Sequence, residues 1–205
     1  MKGILFIISS PSGGGKGTLI REVLDSVPNV GYSISFTTRN PRVGEKHGRE
    51  YFFATPAEFE KMRQGGAFLE WAQVHNHFYG TTRSHVELEL KAGRDIILEI
   101  DVQGAKNVKS QLPDSVGIFI MPPSFGILSK RLERRGSESS TDLAVRLLNA
   151  RVEVEQYREF DYVIINDEVK RAATQLAAVF LAERARRNRM EAAVEEILQT
   201  FNLMD

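Results

Sequence analysis

Residues 4–18 read Ile-Leu-Phe-Ile-Ile-Ser-Ser-Pro-Ser-Gly-Gly-Gly-Lys-Gly-Thr, an apolar run that leads into a glycine-rich segment and a lysine. The pattern predicts a buried strand over Ile4–Ile8, a tight loop, and a helix that begins near Thr18. Consecutive glycines let the loop turn its backbone N–H groups inward, where they form an anion site with the helix N-terminus. Lys16 adds a positive charge at the place where terminal phosphates would lie. We therefore interpret residues 10–18 as a phosphate-binding loop.

Two positions depart from the usual pattern of such a loop. Ser10 stands where a glycine is usual, and Gly17 stands where a serine or threonine normally follows the lysine. The alternative is a glycine-rich turn with an incidental lysine, but the strand-loop-helix context favours phosphate binding. The candidate ligand-binding residues of the loop are Ser10, Pro11, Ser12, Gly13, Gly14, Gly15, Lys16, Gly17 and Thr18.

The composition is that of an ordinary globular protein. The chain has 205 residues, a formal net charge of zero and no cysteine. Disulfides and thiolate metal sites are therefore excluded, and broad electrostatic binding of nucleic acid is not expected. No apolar run reaches membrane-spanning length, and the N-terminus lacks the pattern of a secretion signal. We expect a cytoplasmic enzyme with no nucleic-acid or membrane partner, and the sequence allows a homo-oligomer.

Four short apolar runs predict an α/β fold with a parallel sheet that is covered by helices on both faces. These runs are Ile4–Ile8, Ile96–Ile100, Val116–Met121 and Tyr162–Ile165, and one long helix is expected from about Val169 to the C-terminus. The basic residues at 184–189 are interpreted as a solvated helix face, with nucleic-acid binding as the alternative. The core domain is expected to comprise residues 1–31, 94–124 and 161–205.

Two further units are predicted within this core. Residues 32–93 contain short strand candidates with turn residues between them, which indicates a small inserted antiparallel sheet. A helix inside it is marked by Thr55 as a cap, Pro56 at its first position and Glu58 in a capping box. Residues 125–160 predict a helical hairpin, with one helix to Arg135 and a second from near Thr141.

Two groups of residues carry candidate chemistry. Ser35, Arg39 and Arg42 lie close together in the inserted unit, and arginine suits phosphate oxygens; ordinary surface arginines are the alternative. Glu99 and Asp101 follow a buried strand, at the sheet edge where ligands bind. A carboxylate beside a phosphate loop commonly holds Mg²⁺, directly or through water. A helix cap at Asp101 and a chance Glu99 are the alternative there.

Taken in order, the motifs of this chain resemble the guanylate kinase family over nearly its whole length. They are Ser-Pro-Ser-Gly-Gly-Gly-Lys at 10–16, Ser-Phe-Thr-Thr-Arg-Asn-Pro-Arg at 35–42, Gly-Arg-Glu-Tyr-Phe-Phe at 48–53, Phe-Leu-Glu-Trp at 68–71, Tyr-Gly-Thr at 79–81, Leu-Glu-Ile-Asp-Val-Gln-Gly at 98–104, Pro-Pro-Ser at 122–124, Arg-Leu-Glu-Arg-Arg-Gly at 131–136 and Asn-Asp at 166–167. The family's core, nucleoside-monophosphate domain and lid match the three units above.

The resemblance implies an ATP-dependent kinase that phosphorylates GMP (and dGMP) with Mg²⁺, in purine nucleotide metabolism. By position, the residues that match contacts to the phosphate or base of GMP are Ser35, Arg39, Arg42, Tyr51 and Tyr79, and those that match guanine contacts are Glu70, Thr81 and Asp101. Arg135 and Arg146 match lid arginines that close on the ATP phosphates, Arg131 is a further candidate, and Asn166 matches a residue near the adenine. Lys16, Arg39, Arg135 and Arg146 are the implied catalytic set.

Two departures from the family concern the metal. Gly17 replaces a hydroxyl residue, so we expect Mg²⁺ to be held by phosphate oxygens and water, with Glu99 acting through water. Glu99 itself stands where many relatives carry aspartate, which keeps the charge but lengthens the reach. The alternatives to a GMP kinase are a kinase of another small phosphate acceptor and a non-enzymatic binding module of the same fold.

Overall fold

The computed structural model describes residues 1–74, 76–134 and 140–201. It contains two sheets, and helices pack on both faces of the larger one. Within these described ranges, no helix has the length and apolar character needed to cross a membrane.

The larger sheet has five parallel strands in the order β2-β7-β1-β8-β9. Its strands are β1 (Leu5–Ser9), β2 (Val30–Tyr32), β7 (Asp95–Glu99), β8 (Val116–Met121) and β9 (Tyr162–Ile165). The helices outside the lid and the small sheet are α1 (Lys16–Ser26), α3 (Arg83–Lys91), α4 (Val102–Gln111), α7 (Val169–Arg184) and α8 (Arg187–Phe201).

Strand β1 is apolar from Leu5 to Ile8, and both of its faces are covered. Phe6 and Ile8 pack into a core with α1 and α7, where Phe6 stacks on Phe180. Leu5 and Ile7 point to the opposite face and pack with residues of α3 and α4. An uninterrupted apolar run is the pattern expected of a parallel strand buried on both sides.

The smaller sheet has the order β4-β3-β6-β5. It consists of β3 (Phe36–Thr37), β4 (Phe52–Phe53), β5 (Phe68–Val74) and β6 (His77–Thr82), with helix α2 (Pro56–Gln64) alongside. The predicted capping box of α2 is present, since Thr55 and Glu58 exchange hydrogen bonds. The expectation of a purely antiparallel insert was wrong for one pair: β3 and β4 run parallel, which the long connection over 38–51 permits.

The lid consists of α5 (Phe125–Glu133) and α6 (Ser140–Glu155), and a short 3₁₀ helix (Gln156–Glu159) leads back to β9. Its own core is small: Leu128, Leu132 and Ala150 are buried, with Leu143 and Leu147 packed against them.

Several helices and strands begin at residues other than the predicted ones. Helix α1 begins at Lys16, two residues before the expected start, and β7 begins one residue earlier than expected. Strand β2, at the edge of the larger sheet, was not predicted. The prediction of a single C-terminal helix was wrong, because the chain leaves helical geometry at Ala185 and a new helix begins at Arg187.

The basic run at this break is largely ion-paired. Arg184 binds Asp95, Arg186 binds Glu183, and Arg187 lies 3.5 Å from Glu191. Arg189 donates to the carbonyl of Lys2. The contacts of Arg184 and Arg189 connect the two helices to the body of the protein, and the other two pairs are local to the helices, so most of the run has a structural explanation.

Asp95 connects three elements at the base of the larger sheet. It is 3% exposed. One carboxylate oxygen accepts from the Ile4 N–H at 2.7 Å, and the other accepts from Arg184 Nε at 2.8 Å.

We predict that Asp95→Ala lowers the free energy of unfolding by about 3 kcal/mol, because it leaves the buried Ile4 N–H and Arg184 Nε without an acceptor and removes the ion pair of Arg184. Urea unfolding measures this change. Asp25→Ala, which removes an exposed carboxylate from α1, is the control and should change stability by less than about 0.5 kcal/mol. A loss below about 1 kcal/mol for Asp95→Ala would contradict a structural role for this ion pair.

Candidate active site

The glycine-rich loop between β1 and α1 needs each of its three consecutive glycines. Gly13 and Gly15 have φ of 84° and 91°, in the left-handed region that side chains disfavour. A Cβ on Gly14 would lie 2.7 Å from the Ser10 side chain. The loop therefore turns too tightly for other residues, and Gly15 is the N-cap of α1. The predicted tight loop before a helix N-terminus is therefore present, and the anion site there stays a prediction.

Asn166 supports the loop from the end of β9. Its side-chain N–H donates to the Gly14 carbonyl at 2.9 Å, and the residue is 2% exposed. Arg131 of α5 donates through Nη2 to the Asn166 carbonyl at 2.8 Å. Asn166 Oδ1 and Arg131 Nη1 are buried and have no hydrogen-bond partner among the described residues. A donor and an acceptor thus remain beside Gly15 for a ligand to satisfy.

The lid contacts the loop at Ser12. Arg146 of α6 donates to Ser12 Oγ through Nε at 3.0 Å and Nη2 at 2.7 Å. The Ser12 backbone N–H donates to Glu153 Oε2 at 3.0 Å. The structure therefore brings Arg146 to the phosphate loop, as predicted. Arg135, the other lid arginine of the prediction, lies outside the described residues.

A cavity of about 250 Å³ lies between the two sheets. Seven of the predicted residues line it, namely Lys16, Ser35, Tyr51, Glu70, Tyr79, Glu99 and Asp101. Residues from both sheets and from the phosphate loop therefore meet in one space. Tyr32, Glu50, Ala72 and Val74 also line it and were not predicted.

One end of the cavity holds two carboxylates and two hydroxyls. Thr81 donates to Glu70 Oε1 at 3.1 Å, and the Ser35 and Thr81 hydroxyl oxygens lie 3.3 Å apart. Asp101 accepts from the Gly104 N–H at 2.7 Å as the N-cap of α4. A Cβ on Gly104 would lie 3.2 Å from Glu70 Oε2 and 3.4 Å from Asp101 Oδ1. The two carboxylates thus converge above Gly104, and Asp101 is both a helix cap and a cavity residue.

The environment of the Glu70 carboxyl disfavours its ionised form. Burial raises its pKa to about 7, and the neighbouring Asp101 carboxylate acts in the same direction, whereas hydrogen bonds from Thr81 oppose the shift. A ligand that donates hydrogen bonds here would favour the ionised form and relieve this cost.

Arg39 is held by a partner that the sequence did not indicate. Its Nη2 donates to both oxygens of Glu45 at 2.9 Å, and its guanidinium lies 5.4 Å from the centre of the Tyr51 ring. Glu45 also accepts from the Arg42 N–H at 2.8 Å. Arg39 therefore lies beside Tyr51 of the cavity lining, whereas Arg42 is exposed and is not among the residues that line the cavity.

Glu99 faces the cavity from the end of β7. Tyr32, at the end of the neighbouring strand β2, donates to Glu99 Oε2 at 3.1 Å. Burial and the Glu99 carboxylate raise the pKa of the Tyr32 hydroxyl, so this hydroxyl stays a donor. In the described ranges, no three or more His, Asp or Glu side chains cluster in a way that could hold a metal ion.

Three of the residues missed from sequence had a weak signal. Tyr32 is the first residue of the predicted inserted unit, and Glu50 is next to the predicted Tyr51. Glu153 lies two helical turns after Arg146, on the same face of the lid helix. Each of these signals identifies a site residue only when the position of the neighbouring segment in the fold is already known.

Comparisons with known proteins agree with this arrangement. Residues 2–183 match the family model described as Guanylate kinase. A guanylate kinase of Aromatoleum aromaticum is 45% identical over 205 residues, covering 100% of this chain and 99% of the relative. One of Thermotoga maritima is 45% identical over 95% of this chain and 94% of the relative. The crystal structure of guanylate kinase from Anaplasma phagocytophilum superposes with a TM-score of 0.74 at 33% identity, covering 92% and 89% of the two chains.

We predict that one glutamate carboxyl of the free protein titrates near pH 7, and that Asp101→Asn lowers this midpoint. The variant removes a neighbouring negative charge but keeps a helix-capping side chain, so the midpoint should stay above the ordinary value of 4.5, because burial remains. Carbon-13 NMR of labelled glutamate carboxyls measures the titration, with Glu70→Gln as the assignment control. A Glu70 midpoint below about 5 in the unmodified protein would contradict the buried geometry.

Proposed function

The chain belongs to the guanylate kinase family, and from that premise we propose how its residues perform the family's reaction. It is a nucleoside monophosphate kinase that transfers the γ-phosphoryl group of ATP to GMP, giving ADP and GDP, in purine nucleotide metabolism. One observation carries the assignment of the site: Lys16 of the phosphate loop lines the same cavity as Glu70 and Asp101. That cavity could hold an acceptor base at one end and its phosphate near the loop.

Guanine is the base that fits the carboxylate end. It presents N1–H and N2–H₂ donors, which Glu70 and Asp101 can accept, and an O6 acceptor, to which Ser35 or Thr81 can donate. Adenine has an unprotonated N1, which would face a carboxylate with no hydrogen bond between them. Recognition in this form uses the base and the phosphate and makes no use of the sugar, so dGMP is proposed as a further acceptor.

The phosphate of GMP is assigned to the cationic and phenolic groups beside the cavity. Arg39 stacks near Tyr51, and Tyr51 and Tyr79 lie edge to face at 5.8 Å. In this structure, the Arg39 guanidinium donates hydrogen bonds to the Glu45 carboxylate. We propose that Arg39 and the tyrosines bind this phosphate, with Arg42 approaching from its exposed position.

ATP is assigned to the phosphate loop. The loop N–H groups and Lys16 would bind the β- and γ-phosphates. Arg131 and Asn166 keep a buried donor and a buried acceptor beside Gly15, and both suit a nucleotide. Arg146 lies on the loop already, and Arg135 is proposed as its partner from the resemblance alone. These cations would stabilise the charge of the transferring phosphoryl group.

Mg²⁺ is the metal proposed for this site. Glu99 is the carboxylate that fits, because it faces the cavity that Lys16 lines, and Mg²⁺ commonly uses one carboxylate with phosphates and waters. A Cβ on Gly17 would meet no atom within 4 Å, so packing does not forbid a side chain there; glycine simply supplies no hydroxyl ligand. When bound to ATP, Mg²⁺ would neutralise phosphate charge and so assist departure of ADP.

Phosphoryl transfer to GMP depends on positioning of the substrates and on stabilisation of charge more than on proton transfer. The phosphate of GMP is mostly a dianion near pH 7, so it can attack without a strong general base. The protein must bring two polyanions together, which explains the concentration of arginine and lysine. We propose the core (1–31, 94–124, 161–205), the GMP unit (32–93) and the lid (125–160) as the parts that close over the substrates. Closure would exclude water that could hydrolyse ATP. We place the enzyme in the cytoplasm, where its nucleotide substrates are.

We predict that the purified protein converts GMP and ATP to GDP and ADP, and that Lys16→Met reduces kcat by at least about a hundredfold. Removal of one charge that stabilises the transition state typically costs this much. A coupled assay of diphosphate formation measures both results, with AMP and UMP as alternative acceptors. Lys106→Met, an exposed lysine of α4, is the control.

The outcomes separate the rival functions. Activity with another monophosphate but not with GMP would favour a different kinase. GMP binding without turnover would favour a binding module. Near-normal turnover by folded Lys16→Met would show that the loop assignment is wrong.

We predict that the KM for GMP rises about tenfold between pH 8 and pH 6. With a pKa of about 7, the ionised fraction of Glu70 falls from about 0.9 to about 0.1 over this range, and the guanine donors need the ionised form. GMP also changes charge, since its phosphate has a second pKa near 6. Glu70→Gln retains that phosphate effect but lacks the titrating group. Its KM for GMP should be raised about tenfold or more at pH 8 and should vary less with pH.

Steady-state kinetics at saturating ATP give these values, and the KM for ATP is the internal control. An identical pH profile for the two proteins would remove Glu70 from the guanine site.

A further inference from the structure

Two side chains of the lid helix α6 hold a single residue of the phosphate loop. Arg146 donates twice to the Ser12 hydroxyl, and Glu153 accepts from the Ser12 backbone N–H at 3.0 Å. The two lid residues are seven positions apart, which is two helical turns, so they project from the same face of α6. Helix α6 therefore contacts Ser12 through one acceptor, Glu153, and one donor, Arg146.

The acceptor is unexpected on electrostatic grounds. A carboxylate next to a phosphate site repels the ligand, and every other charged group assigned to the ATP side is cationic or is proposed to act through Mg²⁺. Glu153 is half-buried and satisfies a loop N–H that would otherwise be free to face a phosphate. A hydrogen bond to a charged acceptor is also stronger than a neutral one. This geometry suits a structural contact and does not suit a substrate contact.

The apolar side chains of helix α6 that are covered pack within the lid. Among its described residues Ala150 is buried, and Leu143 and Leu147 pack on α5, within the lid itself. Val145, Leu148 and Val152 are more than half exposed. The lid core reaches the loop through α5, since a Cβ on Gly13 would lie 3.0 Å from both Leu128 and Leu132. Helix α6 adds direct contacts with the loop through the hydrogen bonds of Arg146 and Glu153 to Ser12.

We propose that Glu153 is a positioning residue for phosphoryl transfer, which seats α6 on the Ser12 N–H so that the Arg146 guanidinium lies at the phosphate loop. The proposal rests on the proposed function, because the catalytic use of Arg146 belongs to it. Glu153 itself touches no substrate. Its effect on the reaction passes through Arg146.

The first test compares substitutions at Glu153. Glu153→Ala should lower kcat about tenfold and change the KM for GMP less than about twofold, because the lost contact acts in the closed state. Glu153→Gln keeps an oxygen acceptor at the same reach and should recover activity to within about threefold of the unmodified enzyme. Glu153→Asp keeps the charge but shortens the reach, so it should resemble the alanine variant. Glu155→Ala, an exposed carboxylate on the same helix, is the matched control and should leave kcat unchanged.

The second test is a double-mutant cycle with Arg146→Ala. If Glu153 acts through Arg146, Glu153→Ala should lower kcat less than about twofold further in the Arg146→Ala background. Independent effects that multiply would overturn the proposal. Thermal unfolding of each variant identifies those that fold, and if Glu153→Ala does not fold, Glu153→Asp takes its place in the cycle.

Two other results would also overturn the proposal. A higher kcat or a lower KM for ATP in Glu153→Ala would show that the carboxylate obstructs the loop. Unchanged kcat in both Glu153→Ala and Glu153→Asp would show that the contact has no role in turnover. An unmodified enzyme that fails to phosphorylate GMP would instead contradict the proposed function, so the two failures are distinct.

Discussion

The position of strand β1 determines most of this structure. It pairs in parallel with β7 on one side and β8 on the other, and apolar side chains cover both of its faces. A strand buried in this way can present polar groups only where it ends. Because parallel strands end at the same edge, the phosphate loop after β1 lies beside Glu99 and Asp101 after β7. The cavity between the two sheets follows from this alignment.

Charge is distributed unevenly along that cavity, and this distribution is energetically unfavourable in the free protein. The end that holds Glu70 and Asp101 places two carboxylates near each other above Gly104, and burial raises the pKa of Glu70 to about 7. The phosphate end carries Lys16, with Arg39 close by. Such an arrangement disfavours the ionised form of Glu70 in the free protein, since this carboxylate is desolvated and lies beside the Asp101 carboxylate. A ligand with donors at one end and negative charge at the other offsets that cost, which favours binding in one orientation.

The lid is attached to the rest of the protein differently from the other parts. The core helices bury large apolar side chains against the sheet, whereas the lid has a small core of its own. It meets the phosphate loop where Leu128 and Leu132 lie beside Gly13 and through the polar contacts of Ser12. Contacts of this kind can break and reform without disruption of a packed interior. The same difference explains why the lid was predicted as a helical hairpin from its sequence, but the contact between Glu153 and Ser12 was not.

By itself the sequence determined the local features: the strand-loop-helix at residues 4–18, the α/β class, and the inserted unit with the capping box of α2. It also indicated seven residues of the cavity, Glu70 among them through the family resemblance. These depend on neighbours within a few residues or on motifs read in order. Only the tertiary structure decided the contacts between distant segments, namely Tyr32 with Glu99, Asn166 with Gly14, Glu153 with Ser12, and Arg184 with Asp95. The raised pKa of Glu70 belongs with them, because burial and the approach of Asp101 exist only after β5 and β7 are assembled. Hydrophobic periodicity encodes which face is buried, but it carries no information about which polar group will lie opposite another across the folded chain.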